Sequence, residues 1–154
     1  MRRAAAKLVV GMAITAIGMF GADCSLGTWK LNPAKSKSAS TNLIQSRTEI
    51  WEAMPDNGVK ITRTEQRADG TTVNFSYAYK YDGKEYPATG GQFDTISAKR
   101  IDANTTATET KKADGRYHQT SRYVCSEDGK TRTLTAEGTD GKGKPTASTY
   151  VFEK

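Results

Sequence analysis

Thr71-Thr72-Val73-Asn74-Phe75-Ser76-Tyr77-Ala78-Tyr79-Lys80-Tyr81 decides the fold class. In an extended chain Val73, Phe75, Tyr77, Tyr79 and Tyr81 share one face, and Asn74, Ser76, Ala78 and Lys80 share the other. A side-chain period of two with one apolar face is the mark of a β-strand that is dry on one side. Asp69-Gly70 precedes the stretch and Asp82-Gly83 follows it. Asp-Gly supplies the positive φ angles that tight hairpins require, so the strand runs between two turns.

The same punctuation recurs in both directions. Asp-Gly returns at 114–115, 128–129 and 140–141, and Asp56-Asn57-Gly58 and Asp102-Ala103-Asn104 read as further turns. The segments between them are short and rich in Thr, Tyr, Val and Ile. Regular turns at this spacing predict an antiparallel meander. Ten strands are expected, over approximately 26–31, 44–54, 58–68, 71–81, 84–88, 92–101, 105–112, 116–125, 130–139 and 145–153. The first of them places Trp29 and Leu31 on one face. Several faces are only weakly apolar, Thr105-Thr106-Ala107-Thr108-Glu109-Thr110-Lys111-Lys112 most of all. With 36% hydrophobic residues in the whole chain, a dry sandwich core is undersupplied, whereas a barrel with a partly polar interior is not. Closure also removes the edges that Thr-rich strands would expose. The expected fold is all-β, an antiparallel up-and-down β-barrel of about ten strands preceded by a signal-peptide helix.

That leading segment has three zones. Arg2, Arg3 and Lys7 give a positive start, Leu8 to Phe20 carry no charge, and Gly21-Ala22 form a small-residue exit before Asp23. This layout reads as a cleavable secretory signal over 1–22, with the mature domain over 23–154. The uncharged run is too short for a membrane span, which needs about 20 apolar residues. The protein is therefore expected to be exported, to the periplasm or the cell exterior, without a stable membrane span. Cleavage removes three cations and lowers the formal charge from +6 to +3. So small an excess, with signs alternating along the chain, describes a solvated surface and not a nucleic-acid binder.

Cys24 and Cys125 both survive cleavage. Three fates stand open: a disulfide favoured by an oxidising compartment, lipidation of Cys24, and free thiols. In a ten-strand meander strand eight runs opposite to strand one, so Cys125 at its end and Cys24 before strand one meet at one closed end. Catalytic and metal motifs are absent. His118 is the single histidine, no cysteine pair has zinc-ligand spacing, and no Gly-x-Ser-x-Gly or phosphate loop occurs. No catalytic residue, metal or cofactor is expected.

Gly27-Thr28-Trp29-Lys30-Leu31 resembles the opening Gly-x-Trp strand of the lipocalins and fatty-acid-binding proteins, and Tyr150-Val151-Phe152-Glu153-Lys154 is similar to the last strand of the latter. The longer run through Asn32-Pro33-Ala34-Lys35-Ser36 looks like the start of small secreted bacterial lipocalin-like proteins. So do Lys80-Tyr81-Asp82-Gly83-Lys84-Glu85-Tyr86-Pro87 and Lys99-Arg100-Ile101-Asp102-Ala103-Asn104-Thr105. The resemblance implies a ligand-binding barrel with Trp29 as a structural plug at its closed end. It departs from the fatty-acid-binding proteins in two places. Residues 32–43 are too few for their pair of lid helices, and Tyr150 and Phe152 stand where those proteins place an Arg-x-Tyr clamp.

The expected ligand is a small hydrophobic or anionic amphipathic molecule. Phe75, Tyr77 and Tyr79 are candidates to line its cavity. Arg100, sharing a face with Ile96 and Ala98, is the candidate inward cation. The odd-numbered connections fall at one end, which carries Lys35, Lys37, Lys142 and Lys144 and is the candidate mouth. Two other classes compete. A protein-interaction module of the cell envelope would show an exposed apolar patch, and an enzyme a convergent acid–base pair within the cavity.

Overall fold

A computed structural model describes residues 23–39 and 43–154. The proposed leader lies outside the described residues. Ten strands follow one another: β1 (Gly27–Ser38), β2 (Ile44–Met54), β3 (Gly58–Arg67), β4 (Thr72–Lys80), β5 (Asp82–Pro87), β6 (Thr95–Arg100), β7 (Thr105–Lys111), β8 (His118–Cys125), β9 (Thr131–Thr139) and β10 (Pro145–Glu153). All pairings are antiparallel, in the sheet order β4-β3-β2-β1-β10-β9-β8-β7-β6-β5. No helix occurs among the described residues.

The turns follow the chemistry expected of them. Asp56 and Asn57 adopt φ of 57° and 58°, the pair of positive angles that a tight hairpin between β2 and β3 needs. At the β9–β10 turn the Asp140 carboxylate accepts from the backbone amides of Lys142 and Lys144.

β1 is longer than its sequence suggests. Asn32-Pro33 reads as the end of a strand, yet pairing with β10 resumes at Lys37 and Ser38 after a shift in register. Side chains bridge the gap. Asn32 Oδ1 accepts from the Lys35 amide, and the Ser36 hydroxyl donates to the Asn32 carbonyl while accepting from the Val151 amide. Pro33 costs the ladder nothing at a bulge, where no N–H is required. The connection to β2 thus shrinks to residues 39–43.

The barrel is nearly closed. β4 and β5 are the two ends of the sheet, and no hydrogen-bonded ladder joins them. Aromatic side chains fill this seam instead. Phe93, from the β5–β6 link, packs edge-on against Phe75 at 5.8 Å and Tyr77 at 5.3 Å between ring centroids, and lies parallel to Tyr117. The Phe75 ring comes so near the backbone of Gly91 that a Cβ there would sit 2.7 Å from it. Glycine at 91 is required by that close approach.

The end of the barrel where β1 begins is plugged. Trp29 is fully buried, and its Nε1 donates to the Ser25 carbonyl at 2.8 Å. Trp51, Tyr123 and Phe152 are buried beside it. Cys24 and Cys125 form a disulfide here, with Cα atoms 6.2 Å apart at a sequence separation of 101. Of the three fates open to Cys24, the structure has the bridge. The strand count and the parity argument therefore hold. A bridge of this kind fits an oxidising compartment, and no helix among the described residues is long and apolar enough to cross a membrane.

Candidate functional site

Inward positions of β2 and β3 continue the apolar faces of Trp51 and Ile61 with charged residues. Arg47 and Glu49 follow on β2; Arg63, Glu65 and Arg67 follow on β3. The register sets Glu49 directly across from Arg63, and Arg47 across from Glu65. Opposite charges on facing positions support the pairing of the two strands. Glu49 is fully buried. One of its oxygens lies 2.7 Å from Arg132 Nη2 and accepts from Trp51 Nε1 at 3.0 Å; the other lies 2.9 Å from Arg63 Nη2. Glu65 is held between Arg47 at 2.6 Å and Arg67 at 2.7 Å.

Arg132 on β9 is also fully buried. Its guanidinium lies between 4.4 and 5.1 Å from the ring centroids of Trp29, Trp51, Tyr123 and Phe152. Ring faces on several sides and one carboxylate replace the water this cation has lost.

Burial raises the Glu49 carboxyl, but the charges of Arg63, Arg132 and Arg47 outweigh it and hold its pKa down at about 2. At Glu65 burial likewise raises the carboxyl, and the charges of Arg47, Arg63 and Arg67 outweigh it and hold the pKa below the ordinary value. Both are anions at neutral pH. Four interior guanidiniums, of Arg47, Arg63, Arg67 and Arg132, therefore face two carboxylates.

Above the plug lies a cavity of ≈ 270 Å³. It reaches the end that carries the odd-numbered connections, where Ser38, Arg67, Lys112 and Asp140 border it. Its walls differ in chemistry. Arg47, Arg63 and Arg67 form one side. Tyr77, Phe93, Tyr117, Tyr123 and Tyr150 contribute rings. Thr108, Thr110, Gln119, Ser121, Thr146 and Ser148 form a wall of hydroxyl and amide groups. The Thr-rich β7, short of apolar residues for a dry core, turns Thr106, Thr108 and Thr110 inward. Arg63 is 7% exposed, and its Nε has no hydrogen-bond acceptor.

The candidate residues separate on this geometry. Tyr77 lines the cavity; its hydroxyl lies 3.3 Å from Arg63 Nη2. Phe75 and Tyr79 are buried on the same face and stack on Tyr77 from either side, behind the cavity wall. Arg100 is not part of the wall. It turns inward at the plugged end, pairs with Asp23 at 2.6 Å and lies over the Tyr81 ring. The tail that folds back to form the disulfide brings that carboxylate to it.

The four lysines stand outside the cavity. Lys35 pairs with Glu153 at 2.8 Å, Lys37 borders the outer face of β9 and β10, and Lys142 and Lys144 flank the Asp140 turn. His118 is exposed and pairs with Glu109. Tyr150, at a position of the absent clamp, lines the cavity under the Arg47 guanidinium and donates to Ser38; Phe152 belongs to the plug. The signal for Arg47, Glu49, Arg63 and Glu65 was present in the sequence: each is an even number of positions from Trp51 or Ile61.

A ten-strand up-and-down barrel with a plugged floor and a lined internal cavity is the architecture that these elements define. Solved structures agree with this fold. The fluorescent protein UnaG matches with a TM-score of 0.55 at 9% identity, over 84% of this chain and 96% of that one. A Schistosoma mansoni fatty-acid-binding protein in complex with arachidonic acid matches with a TM-score of 0.54 at 15% identity, over 83% and 95%. A redesigned β-barrel, mFAP1, bound to DFHBI, matches with a TM-score of 0.53 at 8% identity, over 85% and 95%. No protein-family model and no curated protein sequence matches the chain. The domain has a lipocalin-like, fatty-acid-binding-protein-like fold.

Proposed function

We propose that this domain is an exported binder of a small anionic amphiphile. One observation carries the reading: Arg47, Arg63 and Arg67 form one side of the cavity, and the interior guanidiniums outnumber the two carboxylates they face. A buried excess of positive charge is costly, and an anionic group beside it relieves that cost. The rings of Tyr77, Phe93 and Tyr117 offer apolar surface to the rest of the molecule. Lys37, Lys142 and Lys144, at the same end but outside the cavity, add a general attraction for anions. The two neighbours whose names include a small molecule support a pocket of this kind without choosing its ligand.

Two fluorescent probes of similar skeleton test the anion. Anilinonaphthalene sulfonate should bind more tightly than the uncharged N-phenylnaphthylamine. Arg63→Met should weaken the sulfonate by about ten- to a hundredfold, the worth of a hydrogen bond to a charged group, and leave the neutral probe unchanged. Glu49 keeps Arg132 and Trp51 in this variant, and its urea unfolding midpoint checks that the domain remains folded. Equal affinity for the two probes, before and after the substitution, would count against the reading. Export is tested by intact mass from the native host, which should place the mature N-terminus at Asp23 or within two residues of it. A full-length species in the cytoplasm would rule that out.

A further inference from the structure

The chemistry of the cavity goes further than its charge. A long alkyl chain needs a continuous apolar wall, because methylenes that displace water from hydroxyl groups without replacing its hydrogen bonds forfeit free energy. In this cavity the aliphatic residues Ile44, Ile96, Leu134 and Ala136 come from three separate strands and share the lining with many polar groups. Opposite the arginines stand Thr108 and Thr110 on β7 and Gln119 and Ser121 on β8. Apolar surface comes as the ring faces of Tyr77, Phe93, Tyr117 and Tyr150 and as those aliphatic side chains. At ≈ 270 Å³ the space also lies at the lower edge of small-molecule sites, about 300–1,000 Å³.

Resting on the anion-binding reading above, we infer that the ligand class is a compact hydroxylated aromatic carboxylate and not a long-chain fatty acid. Its carboxylate meets the guanidiniums of Arg47, Arg63 and Arg67 on one side of the cavity. Its ring lies among the aromatic side chains, where offset or edge-on contacts add to the gain from burial. Its hydroxyls meet Thr108 and Ser121, which a hydrocarbon tail would leave unsatisfied. A site built to hydrogen-bond a hydroxyl discriminates strongly against an analogue that lacks it.

Displacement of bound anilinonaphthalene sulfonate by three competitors tests this: caffeate, cinnamate (the same skeleton without hydroxyls) and hexadecanoate. Caffeate should compete at least about tenfold better than either of the others, the value of one well-made hydrogen bond. The double variant Thr108→Val with Ser121→Ala should erase the advantage of caffeate over cinnamate, and a circular dichroism spectrum that matches the unmodified protein reports a folded barrel. If hexadecanoate displaces the probe best, or caffeate and cinnamate compete equally in the unmodified protein, the ligand class is wrong while the anion site stands. Failure of the sulfonate itself to bind would remove both.

Discussion

Glu49→Ala is expected to destabilise the domain by about 3–5 kcal/mol, the cost of breaking a buried pair by removing one partner. Arg132 would be left fully buried with no carboxylate at 2.7 Å, and Arg63 would lose its partner at 2.9 Å. The midpoint of urea unfolding, followed by tryptophan fluorescence because Trp29 and Trp51 flank the site, reads the loss directly. A change below about 1 kcal/mol, the scale of an exposed ion pair, would contradict the assignment. The same group makes stability depend on acid. Its folded pKa of about 2 lies below the ordinary 4.5, so its stabilisation is complete above about pH 4.5 and disappears as pH falls toward 2. In Glu49→Gln this part of the acid transition should be missing.

Opening the Cys24–Cys125 bridge should cost about 2–5 kcal/mol. The bridge closes a loop with 101 residues of separation, and in the chain-entropy account long loops restrict the unfolded chain most. Cys24→Ser with Cys125→Ser should therefore unfold at markedly lower urea concentration than the oxidised protein, and reductant should lower the stability of the unmodified protein by a similar amount. Anilinonaphthalene sulfonate affinity should persist at low denaturant, because the cavity lies at the other end of the barrel. Equal unfolding midpoints with and without the bridge would mean that the plug is held by packing alone.

The sequence exposed much of this architecture because turn chemistry and side-chain period are local. Asp-Gly and Asn-Gly mark hairpins wherever they occur, so ten strands and the meeting of two distant cysteines follow from counting. The end of β1 was illegible because Asn32-Pro33 normally ends a strand, and only Ser36, reaching the Val151 amide, shows why this one resumes. The arginine–glutamate cluster escaped for a different reason. Alternating charge is the usual signature of a wet surface, and Arg47-Thr48-Glu49 has that look until Trp51 is placed on the same face. Arg100 illustrates the opposite limit. The period gives its face correctly, but neither its height along the barrel nor the returning tail that brings Asp23 to it is encoded in alternation.

The seam between β4 and β5 gives the barrel an anisotropic compliance. Around most of its circumference, girth is fixed by cooperative backbone ladders that yield only as whole strands. At one line it is fixed by the rings of Phe75, Tyr77 and Phe93, each contact worth about 0.5–1.5 kcal/mol beyond the surface it buries. Breathing motions concentrate where resistance is least, so fluctuation of the lumen is channelled into sliding of these rings while the opposite wall, which carries Thr146 and Ser148, keeps its ladder. The amides of β4 that would have bonded β5 are correspondingly the ones to exchange with deuterium ahead of their neighbours.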